Sequence, residues 1–235
     1  PKPSSAASDV YKRQLLQLDL ALSRGRYGRW LGGVAPELQD NPDASFLLCD
    51  LRHPLLIWQQ KKAGGPTVVP ISVDVSSSLR VVAITGPNTG GKTVTLKSIG
   101  LAALMARAGM LLPCSGQPSL PWCAQILADI GDEQSLQQSL STFSGHVKRI
   151  GRILSALASG PAPALVLLDE VGAGTDPSEG TALASALLKA LADRARLTIA
   201  TTHFGELKAL KYSDSRFENA SVAFNAETLS PTYDL

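Results

Sequence analysis

The sequence predicts an α/β fold, with a mostly parallel central sheet flanked by helices and some additional antiparallel strands. Three observations carry that expectation. The runs LRVVAITG (79–86), ALVLLDE (164–170) and ARLTIATTH (195–203) are apolar without alternation, as strands buried on both faces of a parallel sheet must be. The segments from Lys92 to about Ala108 and from Ser178 to Asp193 read as helices, the second turning Leu183, Leu187 and Leu188 toward a core. Ile71, Val73 and Val75 alternate with period two, as a half-buried strand requires. Strands alternating with helices argue for an α/β sheet.

Taken in order, residues 1–14 (PKPSSAASDVYKRQ) are Ser/Ala-rich, then basic, with no periodicity, and read as a disordered or non-native leader. Residues 15–40 form a helical connection from an upstream region. Leu16, Leu20, Tyr27, Trp30 and Leu31 recur at helical spacing, a break is expected near Gly25, and Arg24, Arg26 and Arg29 lie on a solvated face. Residues 41–235 are expected to form one domain, truncated where SPTYDL stops within a strand. There, FLLCDLRHPLLIW and VVPISVDVS read as strands divided by the Gly64-Gly65-Pro66 turn, with His53 shaping a turn before Pro54. The final RFENASVAFNAETLSPTYDL reads as two antiparallel strands around a turn near Asn225-Ala226.

A chain of 235 residues with 44% hydrophobic content can bury one good core with a small appendage. Its net charge of +2 is too small to argue for nucleic acid or an anionic membrane. No apolar run approaches the roughly 18 residues needed to span a bilayer, and no signal-peptide pattern opens the chain. Cys49, Cys114 and Cys123 are an odd number without C-x-x-C spacing, which fits reduced, mostly buried thiols in a cytoplasmic protein.

Function enters with GPNTGGKT, comprising Gly86, Pro87, Asn88, Thr89, Gly90, Gly91, Lys92 and Thr93. It fits G-x-x-x-x-G-K-[ST], with a buried strand before it and a helix after it. Glycines let backbone N–H groups curl around an anion, the helix N-terminus and Lys92 add positive charge, and Thr93 offers a hydroxyl to Mg²⁺. This is a nucleoside triphosphate site of the P-loop kind. LVLLDE then brings Asp169 to the carboxyl edge of the sheet, where it can hold Mg²⁺ or its water. Glu170, one position on, can orient and deprotonate an attacking water, which suits hydrolysis. His203 ends the next buried strand and is placed to sense a γ-phosphate.

Between these elements lies DEQSLQQSLSTFSGHVK (132–148), in which Ser139, Ser141 and Thr142 precede a helix carrying Val147, Ile150, Leu154 and Leu157. Capping alone explains one of the three hydroxyls. A helix N-terminus offering a hydroxyl and free N–H groups could also meet the γ-phosphate of a second molecule.

The order of strand, phosphate loop, acidic pair and strand-end His resembles that of ABC-type ATPases, and the chain is identified as a member of the MutS superfamily by four motifs. ITGPNTGGKTVTLKSIGLAALMARAGMLLPC is similar to the family's phosphate loop, helix and following loop. DEQSLQQSLSTFSGH resembles its signature segment, with STF in place of the transporter-type LSGGQ. LLDEVGAGTDPSEGTALA resembles its acidic strand and dimer-contact loop, and ATTHFGELK its His switch. GAGTDPSEG, TVTLKS and the helix LLQLDLALSRGRYGRWL look most like the bacterial type-two paralogue, the recombination-suppressing endonuclease with a C-terminal Smr domain.

The resemblance implies a homodimer with two composite sites for ATP and Mg²⁺, in which Ser141 of one subunit caps the γ-phosphate held by the other. Asp176 on the GAGTDP loop would couple the two sites. Upstream lever and clamp regions would grip branched or mismatched DNA, nuclease activity would belong to a downstream domain, and no membrane partner is implied. The biological roles implied are suppression of homologous recombination and rescue of collided ribosomes. Val68 and Val69 stand where mismatch-repair relatives place an aromatic over adenine, which implies a looser apolar contact. The alternatives are the ATPase of a mismatch-repair MutS and a nucleotide-sensing module with little hydrolysis. A transporter ATPase is disfavoured by the missing LSGGQ, and a small-molecule kinase by the acidic pair and the STF helix.

Overall fold

The three unbroken apolar runs form the centre of a five-stranded, all-parallel sheet in a computed structural model, which describes residues 5–86, 91–131, 139–221, 223–225 and 230–234. In chain order the elements are α1 (Ser5–Leu31), β1 (Glu37–Gln39), β2 (Phe46–Leu51), α2 (Pro54–Ala63), β3 (Ile71–Val75) and β4 (Val81–Thr85). Next come α3 (Lys92–Arg107), β5 (Ser115–Pro121), β6 (Gln125–Asp129), α4 (Ser139–Ser159), β7 (Ala164–Leu168) and α5 (Pro177–Ala192). The chain continues with β8 (Leu197–Thr202), α6 (Leu210–Ser213), β9 (Phe217–Ser221), β10 (Ala223–Asn225) and β11 (Ser230–Asp234). The parallel sheet runs β6-β7-β8-β4-β9, so β8 lies between β7 and β4 and their carboxyl ends share one edge. A second, mixed sheet of six strands runs β1-β5-β2-β3-β11-β10.

Both faces of the parallel sheet are covered at its three central strands, β7, β8 and β4, which are buried along their whole length. Val82, Ile84, Leu165, Leu167, Leu197 and Ile199 share one core with α3 and the mixed sheet. Val81, Val166, Leu168 and Ala200 share the other with α4 and α5. Helix α3 comes down on the sheet at Gly100, where a Cβ would stand 2.5 Å from Leu167 Cδ1. Among the described residues, no helix is long and apolar enough to cross a membrane. The three cysteines are free, and burial pushes the Cys114 thiol up to about 12 and the Cys123 thiol up to about 11, so both stay protonated at neutral pH.

Several elements depart from the sequence reading. Residues 5–14 belong to α1, which runs on through Gly25. Ala6, Ala7, Lys12, Arg13 and Gln14 are strong helix formers, and no proline follows Pro3 until Pro36. The expected apolar face is not buried along that helix. Leu16 and Leu20 are exposed, and only the last turns pack, with Leu31 in the core and Gly28 too close to Leu111 to admit a side chain. PLLIW is helical rather than extended, because Pro54 occupies the first turn and His53 caps it, Nδ1 accepting from Leu55 N at 3.3 Å. The Gly- and Pro-bearing segment SGQPSLP pairs as β5 with β1 and β2, where composition gave no strand signal. The terminal antiparallel pair is present as β10 and β11, while β9 before it joins the parallel sheet beside β4.

The two sheets are tied at their amino-terminal side by Arg196, which is buried and held chiefly by backbone carbonyls, with an added attraction from the Asp43 carboxylate. Its Nη2 and Nε donate to Ala44 O at 2.7 and 3.2 Å, Nη1 donates to Leu79 O at 2.7 Å, and the guanidinium lies 5.7 Å from the Phe46 ring centroid. Replacing it leaves buried carbonyls unsatisfied. Arg196→Met is expected to destabilise the domain by about 2–4 kcal/mol in urea unfolding. Arg196→Lys should recover less than half of that, since an ammonium cannot fork to two loops.

Candidate nucleotide site

Strand β4 delivers the chain to Gly86 at the shared edge, where a φ of 142° turns the backbone in a way open to glycine. Gly91, at φ 77°, opens α3. Of the expected loop residues, Pro87, Asn88, Thr89 and Gly90 lie outside the described residues. Lys92 is only 2% exposed and its Nζ donates to Gly86 O at 2.6 Å. Burial lowers its pKa, and the nearby Glu170 and Asp169 act against that shift.

Thr93 and Asp169 are 76 residues apart in sequence and in direct contact, Thr93 Oγ1 donating to Asp169 Oδ2 at 2.7 Å. The other carboxylate oxygen, Oδ1, accepts from Thr201 Oγ1 at 2.5 Å. The Thr201 hydroxyl also accepts from Glu170 N at 2.8 Å, so one side chain on β8 fixes both members of the acidic pair that follows β7. Glu170 itself has φ 53°, a left-handed conformation that costs a residue with a Cβ on the order of 1–3 kcal/mol. That turn aims its carboxylate at β8, where His203 Nε2 lies 3.1 Å from Glu170 Oε1.

His203 is held in turn by the residue after it. Phe204 packs against Gly172 and Gly180, whose backbones are so close that a Cβ on Gly180 would stand 2.5 Å from Gly172 O. Asp176 follows on the same loop and caps α5, Oδ1 accepting from Ser178 N at 2.9 Å and from Ser178 Oγ at 2.7 Å. The Ser178 bonds hold its carboxyl below the usual carboxylate range. Of the residues expected against adenine, Val68 is buried in the core and Val69 is half-exposed. Ser139, Ser141 and Thr142 are in the first turn of α4, and their side chains lie outside the described residues.

The structure thus brings together Lys92, Thr93, Asp169, Glu170 and His203 at one edge of the parallel sheet. Sequence reasoning missed Thr201, although ATTH places a hydroxyl two residues before the His on the strand between the two motif strands. It also missed Asp129, although ILAD ends an apolar run in a carboxylate as LVLLD does. Thr201→Val keeps the shape of the side chain and is expected to cost about 1–3 kcal/mol, because the Glu170 N–H loses its acceptor in a part-buried site. Thr201→Ser should stay near the parent, and thermal or denaturant unfolding of both variants checks the hydroxyl as the cause.

Comparison with known proteins matches residues 82–234 to the family model described as MutS domain V. The chain is 60% identical to Endonuclease MutS2 of Synechocystis sp., over 93% of its own length and 29% of that protein's. It is 50% identical to Endonuclease MutS2 of Symbiobacterium thermophilum and 47% identical to that of Thermomicrobium roseum, covering 26% and 27% of those proteins.

Proposed function

This chain belongs to the MutS domain V family, and from that premise we propose that it is the Mg²⁺-dependent ATPase domain of a homodimeric MutS-type DNA-binding protein, built on the ABC-type P-loop plan. The observation that carries the proposal is the array at one sheet edge, in which Thr93, Asp169, Thr201, Glu170 and His203 form a continuous hydrogen-bonded chain beside the buried Lys92.

In this reading the N-terminus of α3, the loop from Gly86 to Thr93 and the Lys92 ammonium hold the phosphates of ATP. The Thr93 hydroxyl and the Asp169 carboxylate are two hard oxygen donors 2.7 Å apart, which fits Mg²⁺, an ion that takes one or two carboxylates and completes its shell from phosphates and water. When bound, Mg²⁺ neutralises charge developing on the phosphate oxygens. Glu170 takes a proton from the attacking water, and its left-handed backbone directs the carboxylate off the strand axis toward β8. His203 is the reader of the γ-phosphate. Ser141, with Ser139 and Thr142 around it at the start of α4, serves the ATP bound by the partner subunit, and Asp176 couples the two sites through the loop it anchors.

The names of the relatives support the type-two branch over a mismatch-repair MutS. For the whole protein we extend the proposal to binding of branched or mismatched DNA, acting in suppression of homologous recombination or in rescue of collided ribosomes. The nuclease activity in the relatives' names is assigned outside these residues, because the acidic pair Asp169 and Glu170 lies beside Lys92 and Thr93 and is taken up by the nucleotide site.

Glu170→Gln is expected to lower phosphate release by about 10²–10⁴-fold while ATP binding persists. Turnover at the parent rate would remove Glu170 from the role of base. Ser141→Ala should lower both turnover and ATP-driven dimerisation, read by phosphate release and sedimentation. A variant unchanged in both would remove the trans contact.

A further inference from the structure

Strand β6 ends in a carboxylate, Asp129, which pairs with Leu168 at the end of β7, one residue before Asp169. Asp129 is 3% exposed, and a carboxylate that deep persists only when its charge and its lone pairs are met. Both oxygens are met by one helix. His146 Nδ1 lies 2.7 Å from Oδ2, and Arg149 Nε donates to Oδ1. Because Nδ1 faces a carboxylate oxygen, that nitrogen carries the imidazole proton and donates it. The Arg149 guanidinium also passes close to Gly131 and Gly145, where a Cβ would lie 3.9 Å and 3.5 Å from its nitrogens.

His146 and Arg149 are one turn apart on α4, on the side that carries Ile150 and Ile153 toward the core. Apolar packing lets such a helix rotate or slide at little cost, whereas two directed bonds to one buried carboxylate fix its azimuth and its axial position. The strand end that receives them is itself tied to the nucleotide site, since Asp169 N donates to Asp129 O at 2.9 Å. A small cavity separates α4 from the acidic strand end, lined by Asp129, His146, Ile150, Glu170, Gly172 and Leu183. The polar cluster therefore adds directed bonds to the apolar packing between α4 and the strand that leads into Asp169.

We propose that Asp129, His146 and Arg149 are positioning residues for the first turn of α4, setting where Ser141 meets the ATP held by the partner subunit. Ser141 is five residues, about 7.5 Å along the helix axis, before His146, so a small rotation at the cluster moves the helix N-terminus off a phosphate oxygen. This rests on the proposed composite site. It adds that each subunit prepares its partner's site through a cluster buried in itself.

The test uses the intact protein and mixed dimers isolated with two different tags. Asp129→Asn is expected to lower kcat about 10²-fold with KM for ATP within about twofold, because the subunit's own phosphate loop is untouched. Paired with a Lys92→Ala subunit, it should regain about half of the parent turnover, since one site then has an intact loop and an intact signature helix. Mixed dimers as inactive as both parents would mean that Asp129 acts on its own subunit's Asp169, and the inference would fall. The Ser141→Ala and Lys92→Ala pair serves as the control. If that pair also fails to complement, the composite-site reading falls and takes the inference with it. If only the Asp129 pair fails, the composite site stands without the inference. Arg149→Gln guards against a folding defect, its side chain being 43% exposed. It should lower kcat when assayed well below its own unfolding midpoint, with partial recovery in Arg149→Lys, and parent kcat in both Asp129→Asn and Arg149→Gln would overturn the proposal.

Discussion

The Asp169 carboxylate is held from both sides by threonine hydroxyls, Thr93 at the start of α3 and Thr201 on β8, and the rest of the site is arranged around that grip. Two oxygens in fixed directions define where α3 must begin relative to β7, which no apolar contact could do to a few tenths of an ångström. The sheet order makes the grip possible. With β8 between β7 and β4, a side chain on β8 can reach the acidic strand end while α3 closes from the other side. The Thr201 hydroxyl then accepts the Glu170 N–H, so the strained turn at Glu170 has its amide satisfied as well as its direction set. Strain on the order of 1–3 kcal/mol at one residue is small beside the burial of two cores that hold both of its ends.

The same logic separates what could be read in the sequence from what could not. Val81–Thr85, Ala164–Leu168 and Leu197–Thr202 were legible because burial on both faces writes itself as an unbroken apolar run. Lys92, Thr93, Asp169, Glu170 and His203 were legible because each stands at a fixed offset from such a run. Thr201 was not, since its role exists only once β8 is known to sit beside β7, and strand order leaves no local trace. Asp129 failed for a related reason, because its partners His146 and Arg149 are supplied by a helix 17 and 20 residues on. The misread PLLIW shows the opposite limit. Five residues with four large apolar side chains fit either period, and the decision was made by Pro54 and the His53 cap.

Helix α1 marks the boundary of what self-burial explains. Its residues from Val10 to Leu22 include apolar side chains on several sides, and those remain exposed along a helix whose helix-forming composition sustains it. Only where Gly28 lets Leu111 approach does the helix join the core. Local propensity therefore built the element, and packing fixed only its last turns.

The His203–Glu170 contact constrains how the proposed chemistry can run. Nε2 has one hydrogen to donate, and with Glu170 Oε1 at 3.1 Å that hydrogen is directed at the carboxylate. A γ-phosphate oxygen and Glu170 are therefore alternative acceptors for the same N–H. In the proposed reaction, a phosphate oxygen that took this N–H would leave Glu170 Oε1 with one donor fewer while water attacks. Phe204, wedged against Gly172 and Gly180, keeps the imidazole within reach of both acceptors, since it ties the strand end to the loop that follows Glu170. Under the proposed function, His203 would both read the nucleotide and occupy Glu170 until the nucleotide arrives.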